Sequence, residues 1–502
     1  MRRVSEDFRR RALEADFVAV IDDAGTHSAH ALLERADELG AALPGLGGTV
    51  LFQADNSWHT VAAALAVGSA GGTLALINRH ATKDDFAAAY EDLRPDAVVA
   101  EPDAVEEWNV EQRMPFPSRT VFDSWSAICT PRPEDAARWS GGVVVGLTSG
   151  STGRPKGVVQ SEEALRYACE HTMKINGLAS GDAVAAIVPL SSTAAFCFGV
   201  YFALLLGGPL VLQRRWDRAA ALERMAATGV RWTMCVPTMA LQMGETAAGS
   251  GVLSGVRSIT VGGGPMDRTA LARAEESLGT RILRVFGMSE CLGHTSPDPA
   301  DPVELRLGRD GRPFPGTELR AVSPDGTRLP VGEPGRAEVR GPSLFLGYAR
   351  EGRVEPPTLT EDGFFATGDL LAVHEDGSVT IMGREKDVII RGGRNLDMTE
   401  IERSIAGCPR IARACVAPVP DELLGERVAL LAVSEDGGPI ALPEVCTYLA
   451  EVGVAKAKWP EYVFVVEDLP QTTVGKLDRG AARELARNLH ARLERDQPPG
   501  DL

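Results

Sequence analysis

Between residues 140 and 290, short apolar runs alternate with segments of helical spacing. The runs are "VVVGLT", "AVAAIVPL", "PLVLQ", "RWTMCVP", "SITVGG" and "RILRVFG", and "DRAAALERMAATG" is one of the segments between them. Short apolar runs spaced by amphipathic stretches predict buried strands with covering helices, an α/β layering whose strands are largely parallel. After residue 300 the texture changes. "SPDGTRLPVGEPGRAEVRG" and "HEDGSVTIMGR" set turn dipeptides between short alternating strands, which predicts hairpins or a small barrel. Beyond residue 385 mixed helix and strand return, closing with an amphipathic helix at "DRGAARELARNLHARLERD". The pattern holds no internal repeat and no low-complexity linker.

One run needs a decision. "AAFCFGVYFALLLGGPLVL", Ala194 to Leu212, is nineteen residues without a charge. That nearly reaches membrane-spanning length. Gly207-Gly208-Pro209 interrupts it, so a buried helix followed by a strand is the expectation.

Composition narrows the partners. A chain of 502 residues with 44% hydrophobic content is long enough for several domains. The net charge of −17 argues against a nucleic-acid or anionic-membrane surface. The eight cysteines form no C-x-x-C pair and no zinc spacing, as expected of reduced cytoplasmic thiols. "MRRVSEDFRRRALEADF" lacks an apolar core, so no signal peptide is expected.

The chemistry concentrates in "LTSGSTGRPKGVVQ", Leu147 to Gln160, directly behind a strand. Glycines let backbone N–H groups and hydroxyls converge on an anion, although an exposed turn has the same composition. The spacing is not that of a Walker A loop, because the lysine at 156 is followed by glycine. "VGGGPMD" fails the dinucleotide pattern, with Asp267 where the last glycine belongs.

"LTSGSTGRPKGVV" resembles the signature loop of the adenylate-forming superfamily, which includes acyl-CoA synthetases, peptide-synthetase adenylation domains and beetle luciferases. Further segments match in order: "VGGGPM" at 261–266, "FGMSE" at 286–290, "FFATGD" at 364–369, "GREKDVIIRGGRNLDMTEIE" at 383–402 and "PQTTVGKLDR" at 470–479. The resemblance runs from about residue 143 to 479. It implies a large N-terminal domain of layered α/β subdomains plus a small barrel, residues 1–384. A small mobile α+β lid, 385–502, would follow. It also implies a carboxylate activated by ATP as acyl-adenylate, with Mg²⁺, then passed to the thiol of CoA.

Carried over residue by residue, Thr148, Ser149, Gly150, Ser151, Thr152, Gly153 and Lys156 would hold the β- and γ-phosphates. Phe286 would stack on adenine with Gly263 and Gly264 against the purine, Ser289 would meet the α-phosphate, and Glu290 would hold Mg²⁺. Read alone, Phe286 also fits a core aromatic at a strand end, and Glu290 fits a surface acid better than a metal ligand. Asp369 and Arg384 would bind the ribose. Lys386 would be the hinge about which the lid turns, Gly393 would line the pantetheine tunnel, and Lys476 would reach the α-phosphate region in adenylation. An exposed lysine such as Lys386 is otherwise a solvated charge.

Two departures bear on the substrate. Relatives carry an aromatic and a histidine after the Pro-Leu that follows "AIV", where this chain has Ser191 and Ser192. Amino-acid-activating relatives place an aspartate where this chain has Ala194, and an ammonium buried there would stay unpaired. The expected substrate is therefore a bulky apolar acid without an α-amino group. Its pocket would be walled by Ser192, Ala194, Phe196, Phe198, Met239, Gly262 and Met288, unless these simply pack the core. Three alternatives keep the fold: a carrier-protein thiol as acceptor, a member that only transfers a supplied adenylate, and a non-catalytic nucleotide binder. The tail "PPGDL" differs from the peroxisomal ending frequent among luciferases.

Overall fold

The computed structural model describes residues 1–131, 134, 136–148, 155–264, 266–392, 394–472 and 476–496. They form two compact units. The first is Met1–Gly263, Arg268–Leu319 and Val339–Phe365, and the second is Gly264–Asp267, Arg320–Glu338 and Ala366–Leu502.

The first unit is built on two sheets. One runs in the order Arg281–Arg284, Ser258–Val261, Trp232–Cys235, Val184–Ala186, Leu210–Leu212, Val18–Asp22, Gly25–Ser28. Its first six strands are parallel and only the final hairpin is antiparallel. Five of the six apolar runs supply strands here. The segments between them form the crossover helices Arg218–Ala227, Pro237–Ala247 and Arg268–Leu278. The first of these starts where it does because Asp217 Oδ1 accepts from the backbone N–H groups of Ala219 and Ala220, both at 2.9 Å.

The other sheet has nine strands, Arg353–Glu355, Gly347–Arg350, Lys156–Ser161, Gly142–Thr148, Thr73–Asn78, Thr49–Ala54, Ala97–Ala100, Trp125–Cys129 and Arg119–Val121. Its centre is parallel and its flanks antiparallel. Val144, Val145, Val158 and Val159 are wholly buried where its two valine-rich strands pair.

The uncharged run is a buried helix followed by a strand, with one irregularity. Thr193–Ala195 is an α-turn, Phe196–Tyr201 is π-helical, and Phe202–Leu206 is α again before the strand Leu210–Leu212. Gly207 ends the helix in the left-handed region (φ +67°), which a Cβ would resist. No helix among the described residues is long and apolar enough to cross a membrane. All eight cysteines are free thiols.

The second unit holds two sheets. The hairpin region gives four strands in the order Glu318–Val322, Gly335–Arg340, Phe365–Val373, Val379–Arg384. The other sheet orders Arg394–Asp397, Val388–Arg391, Gly425–Ser434, Ile411–Asp421, with Tyr462–Val465 also paired to Gly425–Ser434. Alternation along its two long strands decides what covers each face. Val416, Val428 and Leu430 pack with Ile401 and Ile405 of helix Met398–Ile405. Cys415, Ala417, Ala429 and Leu431 pack with Ala482 and Ala486 of the closing helix Arg479–Asp496. Val379–Arg384 ends the first of these sheets and Val388–Arg391 opens the second, and both strands lie in the second unit.

Candidate active site

Parallel strands leave their loops at their carboxyl ends, and ligands bind in open α/β sheets there. Four adjacent strands of the seven-stranded sheet send out candidate residues this way. Ser192 to Phe198 follow Val184–Ala186, Met239 follows Trp232–Cys235, Gly262 and Gly263 follow Ser258–Val261, and Phe286 to Glu290 follow Arg281–Arg284. Gly262 passes so close to the neighbouring loop that a Cβ there would stand 2.9 Å from Val285 Cγ2. Gly263 adopts φ +86°.

The carboxyl ends of the nine-stranded sheet meet these loops. Asn56, just past Thr49–Ala54, donates through Nδ2 to the carbonyls of Ala186 and Val188 at 3.0 and 3.1 Å. Its Oδ1 accepts from Leu190 N–H at 2.9 Å. Asn78 Nδ2 donates to Ser191 Oγ at 2.8 Å. Gly146 lies against Thr193, where an added Cβ would sit 2.9 Å from Thr193 Cβ and 3.0 Å from its Cα. Gly146→Ala is therefore expected to destabilise the chain by about 1–3 kcal/mol, the usual size of overpacking. Urea unfolding midpoints measure it. An unchanged midpoint would mean that Thr193 yields freely.

Strand Lys156–Ser161, which carries the end of the signature segment, and the "FGMSE" loop are joined by three side-chain contacts. Gln160 Nε2, fully buried, donates to Ser289 carbonyl at 2.7 Å. Tyr348 Oη donates to Glu290 Oε1 at 2.9 Å. Lys156 Nζ lies 5.3 Å from the Tyr348 ring centroid, a cation–π contact worth about 0.5–1 kcal/mol when exposed. Tyr348 sits on strand Gly347–Arg350, paired to Val158. Burial, then the Glu290 charge and the hydrogen bond to it, push the phenol well above its ordinary pKa. Thr148 Oγ1 donates to Lys156 carbonyl at 3.3 Å. Ser149, Gly150, Ser151, Thr152, Gly153 and Gly393 lie outside the described residues.

Behind Phe286, whose N–H donates to Thr295 Oγ1 at 3.1 Å, the His294 ring stands edge-on with centroids 4.9 Å apart. Complete burial pushes His294 down to about 3, so it is a neutral support for the aromatic. The acyl-wall candidates differ in access. Phe196 is fully buried, Phe198 and Met239 nearly so, and Ala194 and Met288 half-buried. Ser192 Oγ accepts from Ala195 N–H at 3.1 Å and so caps the helical turn behind it.

In the second unit Asp369 and Arg384 are cross-strand partners, and Arg384 Nε donates to Asp369 Oδ1 at 3.1 Å. The carboxylate is buried and the guanidinium 61% exposed, so the arginine has room to turn toward a ligand. Gly264 belongs to this unit. Lys386 is exposed in a tight turn closed by Asp387 N–H donating to Arg384 carbonyl at 3.0 Å. Arg479 fixes the far side of that turn, with Nε 3.1 Å from Asp387 Oδ2 and both Nη atoms on the Glu402 carboxylate. Lys476 is exposed, and its backbone closes a narrow loop with Thr472 through hydrogen bonds of 2.7 and 3.2 Å.

The AMP-binding enzyme family matches residues 8–349, and the AMP-binding enzyme C-terminal domain matches 400–476. The chain belongs to the AMP-binding enzyme family. This places it in the adenylate-forming superfamily. It is 34% identical over 355 residues to a salicylyl-CoA synthase / salicylate adenylyltransferase from a Streptomyces species, covering 69% of this chain and 64% of that protein. It is 33% identical over 498 residues to triostin synthetase I of Streptomyces triostinicus, covering 94% and 92%. ATP-bound MatB from Rhodopseudomonas palustris shares the fold with a TM-score of 0.83 at 25% identity, over 97% and 99% of the two chains. The chain thus spans less than two thirds of the length of the first of these curated relatives.

For an AMP-binding enzyme, the contacts that sequence reasoning missed are Gln160, Tyr348, Asn56, Asn78 and His294. All but His294 act through a partner far along the chain, as with the 58 positions between Tyr348 and Glu290. The one available signal is that "FLGYAR" puts a lone tyrosine on a strand.

Proposed function

We propose that this AMP-binding enzyme is an ATP-dependent, AMP-forming carboxylic acid–CoA ligase. In the first step a carboxylate oxygen attacks the α-phosphorus of ATP, the bond to the β-phosphate oxygen breaks, and pyrophosphate leaves. In the second step the CoA sulfur attacks the acyl carbon, the carbon–oxygen bond to AMP breaks, and the thiol proton passes to solvent. A carboxylate is already ionised at pH 7, so the first step needs no general base.

The observation that carries this reading is the convergence of "FGMSE", strand Lys156–Ser161 and the Ser191–Ser192 loop at the carboxyl ends of two sheets, joined through Tyr348, Gln160 and Asn78. Lys156, with the loop hydroxyls, holds phosphate oxygens. Phe286, backed by His294, stacks on adenine. Asp369 and Arg384 take the ribose, Gly393 borders the pantetheine arm, and Lys476 serves the α-phosphate when the 385–502 lid is closed about Lys386. Among the described residues no group of three or more acidic, histidine or cysteine side chains could hold a metal by itself. A single carboxylate such as Glu290 fits Mg²⁺, which takes one or two protein carboxylates and otherwise keeps phosphate oxygens and water. The ion supplies charge neutralisation on the phosphates.

The substrate in this reading is a bulky apolar acid without an amino group. Ala194 offers no countercharge to an ammonium, and the likeness to a salicylyl-CoA synthase supports an aromatic acid within that class. The test is a panel of alicyclic, aromatic and medium-chain acids, scored for ATP–pyrophosphate exchange and for thioester formation with free CoA and with a carrier protein. Exchange with amino acids alone would overturn the substrate class, and a carrier protein loaded in preference to free CoA would overturn the acceptor.

A second reading follows from Ser192. Its hydroxyl caps the turn behind it, and serines at 191 and 192 reach less far toward an attacking carboxylate than the aromatic and histidine that relatives carry there. A misplacement of about 1 Å can cost roughly 100-fold. Thioester formation from a preformed adenylate is expected to outrun adenylation by about that factor, since its acyl group is already attached. Supplying acid plus ATP and, separately, synthetic adenylate plus CoA measures the ratio. Ser192→His should raise the first rate selectively, and equal fast rates in the wild type would remove this reading.

A further inference from the structure

We infer that Tyr348 is a positioning residue that sets two opposite charges for the nucleotide's phosphates at once. This rests on the reading of Glu290 as the Mg²⁺ carboxylate and Lys156 as a phosphate cation. The Tyr348 phenol donates to one carboxylate oxygen of Glu290, Oε1, at 2.9 Å, which fixes the rotamer of that side chain before any ion arrives. The face of the same ring holds Lys156 Nζ at 5.3 Å from its centroid. A cation and an anion that share one neighbour would be lost to the phosphates if they paired with each other. The one tyrosine gives each a different partner, the lysine a π-face and the carboxylate a hydroxyl.

The tyrosine is itself held in two ways. Its strand pairs with strand Lys156–Ser161 at Val158. Phe345 packs edge-on against its ring, centroids 4.9 Å apart. Phe345 N–H also donates to Glu290 carbonyl at 2.7 Å, so the backbone and the side chain of Glu290 are both positioned from the 345–348 segment. The arrangement lies wholly inside the first unit.

The two functions of the ring separate by substitution. Tyr348→Phe keeps the π-face and removes the hydroxyl, whereas Tyr348→Leu removes both. The probe is a non-hydrolysable ATP analogue, titrated calorimetrically without metal and again across a Mg²⁺ series, so that no turnover is needed. For Tyr348→Phe the Mg²⁺ concentration at half-maximal enhancement should rise roughly ten- to hundredfold, the effect of losing one hydrogen bond to a charged group. Metal-free binding should stay within about twofold, within the scatter of substitutions that remove no binding contact. Tyr348→Leu should weaken metal-free binding as well. In a Glu290→Gln background, Tyr348→Phe should add nothing further to the Mg²⁺ response.

Equal weakening of metal-free and metal-supported binding by Tyr348→Phe would overturn the inference, because a merely structural role predicts that pattern. So would a Mg²⁺ response unchanged in Tyr348→Phe but altered in Glu290→Gln, which leaves the metal assignment standing. A Glu290→Gln variant with the wild-type Mg²⁺ response would overturn the metal assignment itself, and the inference with it.

Discussion

Replacing Lys476 with alanine is expected to lower acyl-adenylate formation roughly 10²–10³-fold, the loss typical of one preorganised electrostatic contact. Thioester formation from synthetic acyl-adenylate should stay near the wild-type rate. The lysine is exposed, and its backbone is held by Thr472, whose N–H donates to Lys476 carbonyl and whose Oγ1 accepts from Lys476 N–H. Removing its ammonium therefore leaves these hydrogen bonds intact. In the proposed cycle that charge meets the pentavalent phosphorus only in the first step, where negative charge builds on the phosphoryl oxygens. Pyrophosphate exchange and single-turnover thioesterification, run on the same preparation, separate the steps. Equal loss in both would take Lys476 out of the adenylation role.

Lys386→Pro is expected to do the reverse. Lys386 is the third residue of the turn that Asp387 N–H closes onto Arg384 carbonyl. Proline fixes its own φ and constrains the residue before it, so the segment would be held in one backbone state. A misplaced proline costs about 3 kcal/mol, which is roughly 10²-fold in rate if charged to one lid position alone. Pyrophosphate exchange should survive while CoA ligation falls by about that factor. Lys386→Ala, which removes the charge and leaves the dihedrals free, should retain both activities. Wild-type ligation in Lys386→Pro would mean that the pivot lies elsewhere.

The parallel sheet was legible because its strands are short, apolar and β-branched, bounded by turn residues, as in "SITVGG" and "RILRVFG". The closing helix was legible because Ala482 and Ala486 recur at helical spacing beneath a charged face. The π-helical stretch at 196–201 was not, because a run that is apolar all round has no polar side to reveal its period. Tyr348 escaped for a different reason. Its role is a hydrogen bond to Glu290, and no local spacing encodes a partner in a distant loop. Gly146 looked like one more residue of an apolar strand, and only the packed Thr193 explains why a side chain is excluded there. The signature loop was read through its likeness to a family, and the individual roles of its hydroxyls rest on that likeness.

In the proposed reading, the π-helical stretch also governs how the candidate acyl-pocket residues can be exchanged with those of related chains. Such a turn closes i→i+5 and takes up more residues than an α-turn, so every position beyond it is rotated about the helix axis relative to an unbroken α-helix. Phe196 and Phe198 lie within it, and Phe202 lies just after it. A residue-for-residue graft from a relative that lacks the wide turn would aim the transplanted side chains in the wrong direction, even with every identity copied correctly. Redesign of acid selectivity here has to treat the length of this segment as a variable in its own right, alongside the residues that fill it.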